Sequence, residues 1–102
     1  MGKDKNNFIP PNEARNYRNE ASMSQSDIAF LLDIKNSGRI SEWENGKSKP
    51  SIDHLFTLSL IFQRLPDQIY YCLRKELKEK LKKRYNLLRE LKEKERRRDE
   101  AG

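Results

Sequence analysis

From residue 13 to about 64 the large apolar side chains recur at helical spacing, in short runs broken by capping and turn residues. No stretch alternates apolar and polar residues long enough to make a strand, and Asn45-Gly46 follows a helical pattern rather than joining two alternating runs. Four helices are predicted. The first follows Asn12, a good N-cap, and runs to about Ala21, with Ala14, Tyr17 and Ala21 on one face. The second is announced by Ser24-Gln25-Ser26-Asp27, a capping-box arrangement in which Ser24 serves the free amides. It should bury Ile28, Ala29, Leu31 and Leu32 and end near Asp33. The third starts at the N-cap Asn36 and turns Ile40 and Trp43 inward. It stops at Asn45-Gly46, where glycine supplies the left-handed residue that closes a helix. The fourth follows Lys49-Pro50-Ser51 and carries Ile52, Leu55, Phe56, Leu58, Ile61 and Phe62.

The flanks read differently. Residues 1–12 (MGKDKNNFIPPN) are polar and end in Pro10-Pro11, which predicts a flexible arm with Phe8 and Ile9 as its only apolar tethers. Residues 13–66 form the compact helical part, and residues 67–102 the appendage. From Asp67 to Ala101 there is neither Gly nor Pro, so one long helix is permitted, with Pro66 suited to its first turn. Over residues 67–98 it would span about 48 Å at 1.5 Å per residue. Glu76–Lys80, Glu79–Lys83, Glu90–Lys94 and Glu93–Arg97 support it as i,i+4 pairs in the favourable order. With Leu77 at d and Leu81 at a, a heptad seam continues through Leu88 and Leu91, interrupted by Arg74, Arg84 and Glu95 and widened by Leu73 and Leu87.

Composition narrows the function. At 102 residues, 34% hydrophobic and 37% charged, with a mean hydropathy of -1.07, any core must be small. No apolar run approaches the roughly 20 residues of a membrane span. Nothing resembles a signal peptide, and Asn6 stands where a myristoylation signal wants Ser or Thr. A soluble, cytoplasmic protein is expected. A single cysteine, Cys72, excludes an internal disulfide and a multi-cysteine zinc site, and is read as a packing residue. The lone histidine, His54, has no partner ligands in the pattern, so no metal or cofactor is expected. A nucleophile–base set and a Gly-rich phosphate loop are both missing, which argues against an enzyme.

Net charge is +6, but residues 1–71 hold nine basic and nine acidic groups and cancel. Residues 72–102 hold thirteen basic and seven acidic groups, so the whole excess lies in the tail. If the first two thirds bind nucleic acid, they do so by local placement of charge.

The string MSQSDIAFLLDIKNSGRISEWENGKSKPSIDHLFTLSLIF resembles the phage-repressor/Cro-type (XRE) helix-turn-helix family. The matching elements are Met23-Ser24-Gln25, Ile40-Ser41-Glu42-Trp43-Glu44, Gly46 and Pro50-Ser51, within roughly residues 13–70. Five residues separate Ile34 from Ile40, one more than the commonest pattern, and Ser22 stands where the family often has Gly. The resemblance implies an all-α fold: a compact helix-turn-helix domain of four to five helices followed by the long charged C-terminal helix. It implies that the third helix enters the major groove of double-stranded DNA, with Asn36, Ser37, Gly38, Arg39 and Glu42 as the base-reading set. Glu42 would accept from a cytosine amino group, Arg39 would grip guanine or a phosphate, and Gly38 permits close approach. Phosphate contacts fall to Gln25 at the start of the second helix, to Lys35, and to Lys47 and Lys49 in the loop after the third. Trp43 is read as core, and Arg18 and Glu44 match positions that pair within the fold.

For the tail three readings stay open: dimerisation through Leu77, Leu81, Leu88 and Leu91, supplemented by the outward Leu60; a helix folded back on its domain; or a basic arm using Lys82-Lys83-Arg84 and Arg96-Arg97-Arg98. The function expected is a sequence-specific transcriptional regulator, a repressor binding a near-palindromic operator as a homodimer, with no membrane partner. The alternatives are the antitoxin of a toxin–antitoxin pair, with a toxin as protein partner, and a protein-interaction or RNA-associated module without operator specificity.

Overall fold

The computed structural model describes residues 9–101, which contain six helices and no strand. They are α1 (Ala14–Glu20), α2 (Gln25–Leu31), α3 (Gly38–Glu44), α4 (Ile52–Phe62), α5 (Pro66–Ile69) and α6 (Tyr71–Ala101). Each boundary has a local cause. Ser24 Oγ accepts from the Asp27 N–H while the Asp27 carboxylate accepts from the Ser24 N–H, closing a capping box on α2. Ser51 Oγ accepts from the His54 N–H and starts α4. The chain turns left-handed after three helices at Ser22 (φ 58), Asp33 (φ 58) and Gln63 (φ 55), and after α3 at Gly46 (φ 73). Ser22 explains why a glycine would suit its position.

The third helix starts two residues later than its N-cap signal suggested. Asn36 still does the capping, since its Oδ1 accepts the Gly38 N–H at 2.8 Å. Bonds from Arg39 N–H to Asn36 and from Ile40 N–H to Ser37 tighten the first turn to i→i+3.

Five helices wrap one small core. Ile28 and Ile69 are fully buried, and Ala14, Ala29, Leu32, Ile40, Trp43, Leu58 and Tyr70 complete it. Burial pushes the Tyr70 hydroxyl up to about 12. Leu31 faces solvent, contrary to expectation: Ile28, Ala29 and Leu32 share one face of α2, and Leu31 falls beyond its edge. On α4 the inward face is Leu55, Leu58 and Phe62, which leaves Ile52, Phe56 and Leu60 as an exposed i,i+4,i+8 stripe. Ala21 and Cys72 are also exposed rather than packed.

The ends of the domain differ from the sequence reading. Phe8 and the arm before it lie outside the described residues. Residues 9–12 are tied to the domain: Pro10 is buried, and Asn12 Nδ2 donates to the Trp43 carbonyl at 2.9 Å. The next residue, Glu13, donates its N–H to the Ile69 carbonyl. At the other end, the continuous helix expected from Asp67 is broken at Tyr70, whose φ of -109° and ψ of 51° are non-helical. Ile69 and Tyr70 both lie in the core at this bend, and α6 leaves the domain after it. Beyond Leu73 almost every side chain of α6 is exposed, and the chain measures 66 × 36 × 20 Å.

Candidate nucleic-acid interface

The recognition surface rests on one buried carboxylate. Glu44, at the last turn of α3, has a side chain only 1% exposed. It accepts from Arg18 Nε at 2.6 Å, Arg18 Nη2 at 3.2 Å, Gln25 Nε2 at 3.0 Å and Arg15 Nε at 3.3 Å. Arg18 also donates to the Met23 carbonyl, and Arg15 to Asn45 Oδ1. Three donors from α1 and α2 therefore converge on α3 and fix its orientation. Burial alone would raise the Glu44 carboxyl, but the bonds from Arg18 and Gln25, the Arg18 charge and the Arg15 bond outweigh it, so the group lies below the usual carboxylate range. The Glu44 bond in turn holds Arg18 above its ordinary value, against desolvation. The Arg18–Glu44 pair was legible in the sequence; the two further donors were not.

The outward face of α3 is left free by this arrangement. Ile40 and Trp43 are buried, Glu42 is exposed on the far side of the helix, and Arg39 is exposed at the edge of the buried face. The Arg39 guanidinium lies 5.6 Å from the Trp43 ring centroid, a cation–π contact that orients it along the helix surface. A Cβ on Gly38 would stand 3.0 Å from Asn36 Oδ1, so glycine makes room for the Asn36 cap at the helix tip. Ser37 is half-buried beside it. The five residues expected to read bases thus lie at one end of α3: Asn36, Ser37 and Gly38 at the tip, Arg39 in the first turn and Glu42 about one turn on.

The cations expected at phosphates fall on two sides of that tip. Glu42 Oε1 accepts weakly from Ser48 Oγ at 3.4 Å, and the Lys47 N–H donates to the Glu42 carbonyl at 2.9 Å. This reversal at Gly46 folds the following loop back over the end of α3, with Lys47 and Lys49 exposed on it. Gly46 is also crowded: a Cβ there would meet the Ile9 carbonyl oxygen at 3.4 Å on a left-handed backbone. Lys35 is exposed in the turn before α3. The Gln25 side chain is committed to Glu44, so only its backbone N–H at the start of α2 is available to an anion.

A shallow depression joins Lys35 and Ser37 to Ser26 and Phe30 of α2. Phe30 is 83% exposed, the most exposed large apolar side chain described. Sequence reasoning passed over Ser26 and Phe30. Their i,i+4 spacing on the face opposite Ile28 and Leu32 was the available signal.

On α6 the expected seam residues Leu77, Leu81, Leu88 and Leu91 lie along one stripe, 46–57% exposed, with nothing among the described residues covering them. His54, half-buried, stacks on Trp43 with ring centroids 5.5 Å apart. Among the described residues no group of His, Cys, Asp and Glu could hold a metal ion, and no helix is long and apolar enough to cross a membrane.

No curated protein matches the chain. A family model described as helix-turn-helix matches residues 15–69, more than half of the chain and the whole span from α1 to α5. With α2 and α3 as its two central helices, the chain belongs to the XRE-type helix-turn-helix family of DNA-binding transcription regulators.

Proposed function

We propose that this regulator is a sequence-specific repressor that binds a near-palindromic operator as a homodimer in the cytoplasm. The observation that carries the reading is the division of labour on α3: Glu44 anchors one side of the helix to α1 and α2, and Arg39 and Glu42 are exposed away from that anchor, Arg39 resting on the Trp43 ring. Docked in a major groove, the tip of α3 presents Asn36, Ser37 and Gly38 to base edges. Arg39 reaches guanine and Glu42 a cytosine amino group. Lys35, Lys47, Lys49 and the Gln25 backbone N–H contact the flanking phosphates and set the register.

One such module reads only a few base pairs, so useful affinity requires two modules about one helical turn of DNA, roughly 34 Å, apart. The stripe of Leu77, Leu81, Leu88 and Leu91 supplies apolar surface for pairing two copies.

Selection of binding sites from random duplexes tests the reading, and near-palindromic sites are expected. Arg39→Ala should cost roughly 1–3 kcal/mol on the selected site and relax one base preference. Lys47→Ala should weaken all duplexes about equally and lower the salt slope by about one. Equal binding of selected and random duplexes in moderate salt would refute specificity.

A further inference from the structure

The apolar seam of α6 is bordered mainly by lysines, most of which find no carboxylate across a second copy of α6. In the register with Leu77 at d and Leu81 at a, the flanking e positions are Lys78, Tyr85 and Lys92, and the g positions are Lys80, Leu87 and Lys94. Arg74 and Arg84 occupy a and d within the seam. Between Tyr71 and Lys94 the acids are Glu76, Glu79, Glu90 and Glu93, all at c or f on the far side. Up to Lys94 every charge on the seam and its borders is therefore positive; beyond it Glu95 at a and Asp99 at e are negative.

Charge pairing across a helix pair decides which partner fits. In a parallel pair of α6 helices, each g residue meets an e residue of the other copy, and Arg84 meets Arg84. Across the parallel pair the bordering lysines Lys78, Lys80 and Lys92 face Leu73, Tyr85 and Leu87, and Lys94 faces Asp99. In an antiparallel pair, where e meets e and g meets g, lysines oppose lysines or apolar groups. The fold neutralises little of this charge. Arg74 has Asp67 at 3.1 Å and Lys80 has Glu76 at 3.7 Å, both in solvent-exposed pairs. Lys78, Arg84, Lys92 and Lys94 form no ion pair among the described residues. The groove beside Tyr85 is lined by Leu81 and Leu88 together with four cations, Lys78, Lys82, Arg89 and Lys92, against one acid, Glu79.

We propose that the α6 seam is a docking site for an acidic amphipathic helix of a partner protein, which pairs with it more tightly than a second copy of the chain does. The partner presents leucine-like side chains at a and d, and Glu or Asp at e and g. Such a helix buries the four leucines and meets each bordering lysine with a carboxylate, whereas a nucleic-acid strand would use the lysines and leave the leucines wet. One consequence, that the partner takes the repressor dimer apart, rests on the homodimer reading above; the docking itself does not.

The test uses the full chain and three synthetic peptides of about four heptads. One has Leu at a and d with Glu at e and g, one has the same seam with Lys at e and g, and one is a scramble of the acidic peptide without the heptad. Binding is followed by fluorescence anisotropy and stoichiometry by sedimentation. The acidic heptad peptide should bind one to one, at least about tenfold tighter than the lysine peptide, and weaken with salt. A variant carrying Lys78→Glu, Lys80→Glu, Lys92→Glu and Lys94→Glu should reverse that preference, with circular dichroism confirming its helices.

Equal binding of the scramble would overturn the proposal in favour of a general polyanion surface. Equal binding of the acidic and lysine peptides, or a chain dimer that none of the peptides displaces, would assign the seam to a second copy. Binding of selected duplex DNA, measured separately, reports on the regulator reading alone, so the two can fail independently.

Discussion

In the helix-turn-helix domain Glu44 is 1% exposed and shared by Arg15, Arg18 and Gln25 from two other helices, whereas on α6 Glu93 is 43% exposed and meets only Arg96 and Arg97 of its own helix. The two carboxylates have the same chemistry and different duties. Glu44 holds three helices in one relative orientation, and its removal leaves the partly buried Arg18 and Gln25 without their shared acceptor. Glu93 trims the charge of a helix whose backbone bonds form without it. In the domain, charges balance and each has a place; on α6 the excess is spread along a rod and is available to something outside the chain.

The largest effect should come from breaking that contrast directly. Glu44→Gln should cost roughly 3–5 kcal/mol, because a buried pair that loses one partner strands the other. Glu93→Gln should cost well under about 1 kcal/mol, as exposed pairs do. Thermal melts of both variants measure the difference, and equal melting temperatures would erase the distinction drawn between the carboxylates. Acid should act in the same direction. The Glu44 carboxyl is depressed in the fold, so its contribution is complete above its ordinary value of 4.5 and is lost as the pH falls through the lower folded value. Melts below that range should converge on those of Glu44→Gln.

Leucines sharpen the comparison next. Leu58 is 3% exposed and Leu81 55% exposed. Leu58→Ala should destabilise the domain by roughly 2–5 kcal/mol through the cavity it leaves. Leu81→Ala should leave the urea midpoint of the dilute, unpartnered chain nearly unchanged, and a large shift would mean that the seam is already covered. The smallest expected change is a gain. Ser22 holds a left-handed backbone, so Ser22→Gly should raise stability by about 0.5–1 kcal/mol, the relief of strain exceeding glycine's extra chain entropy. A lower urea midpoint would show that Ser22 contributes more than its conformation.

What could be read in the sequence was local. Ser24 with Asp27, Ser51, and Gly46 after Asn45 each mark a helix end through bonds to groups within four residues, and all three act as their spacing suggested. The candidate reading face was legible in the same way, since at a helical period Glu42 falls opposite Ile40 and Trp43 with Arg39 at the edge between them. Leu31 was misread because the turn at Asp33 shortens α2 to seven residues, and the inward face centres on Ile28 and Leu32.

Read alone, the chain specifies an all-helical protein, the punctuation of its helices, a charge-neutral first two thirds and a Gly- and Pro-free helix that carries the whole +6. Those properties follow from each residue and its near neighbours. The convergence on Glu44 joins residues 19 to 29 positions apart, and Asn12 reaches a carbonyl 31 positions away. No periodicity encodes such distances, so only packing could commit the Gln25 side chain to Glu44 and tie residues 9–12 to the domain. The bend at Tyr70 has the same origin. Nothing local forbids a helix there, yet the backbone leaves helical geometry where Ile69 and Tyr70 enter the core.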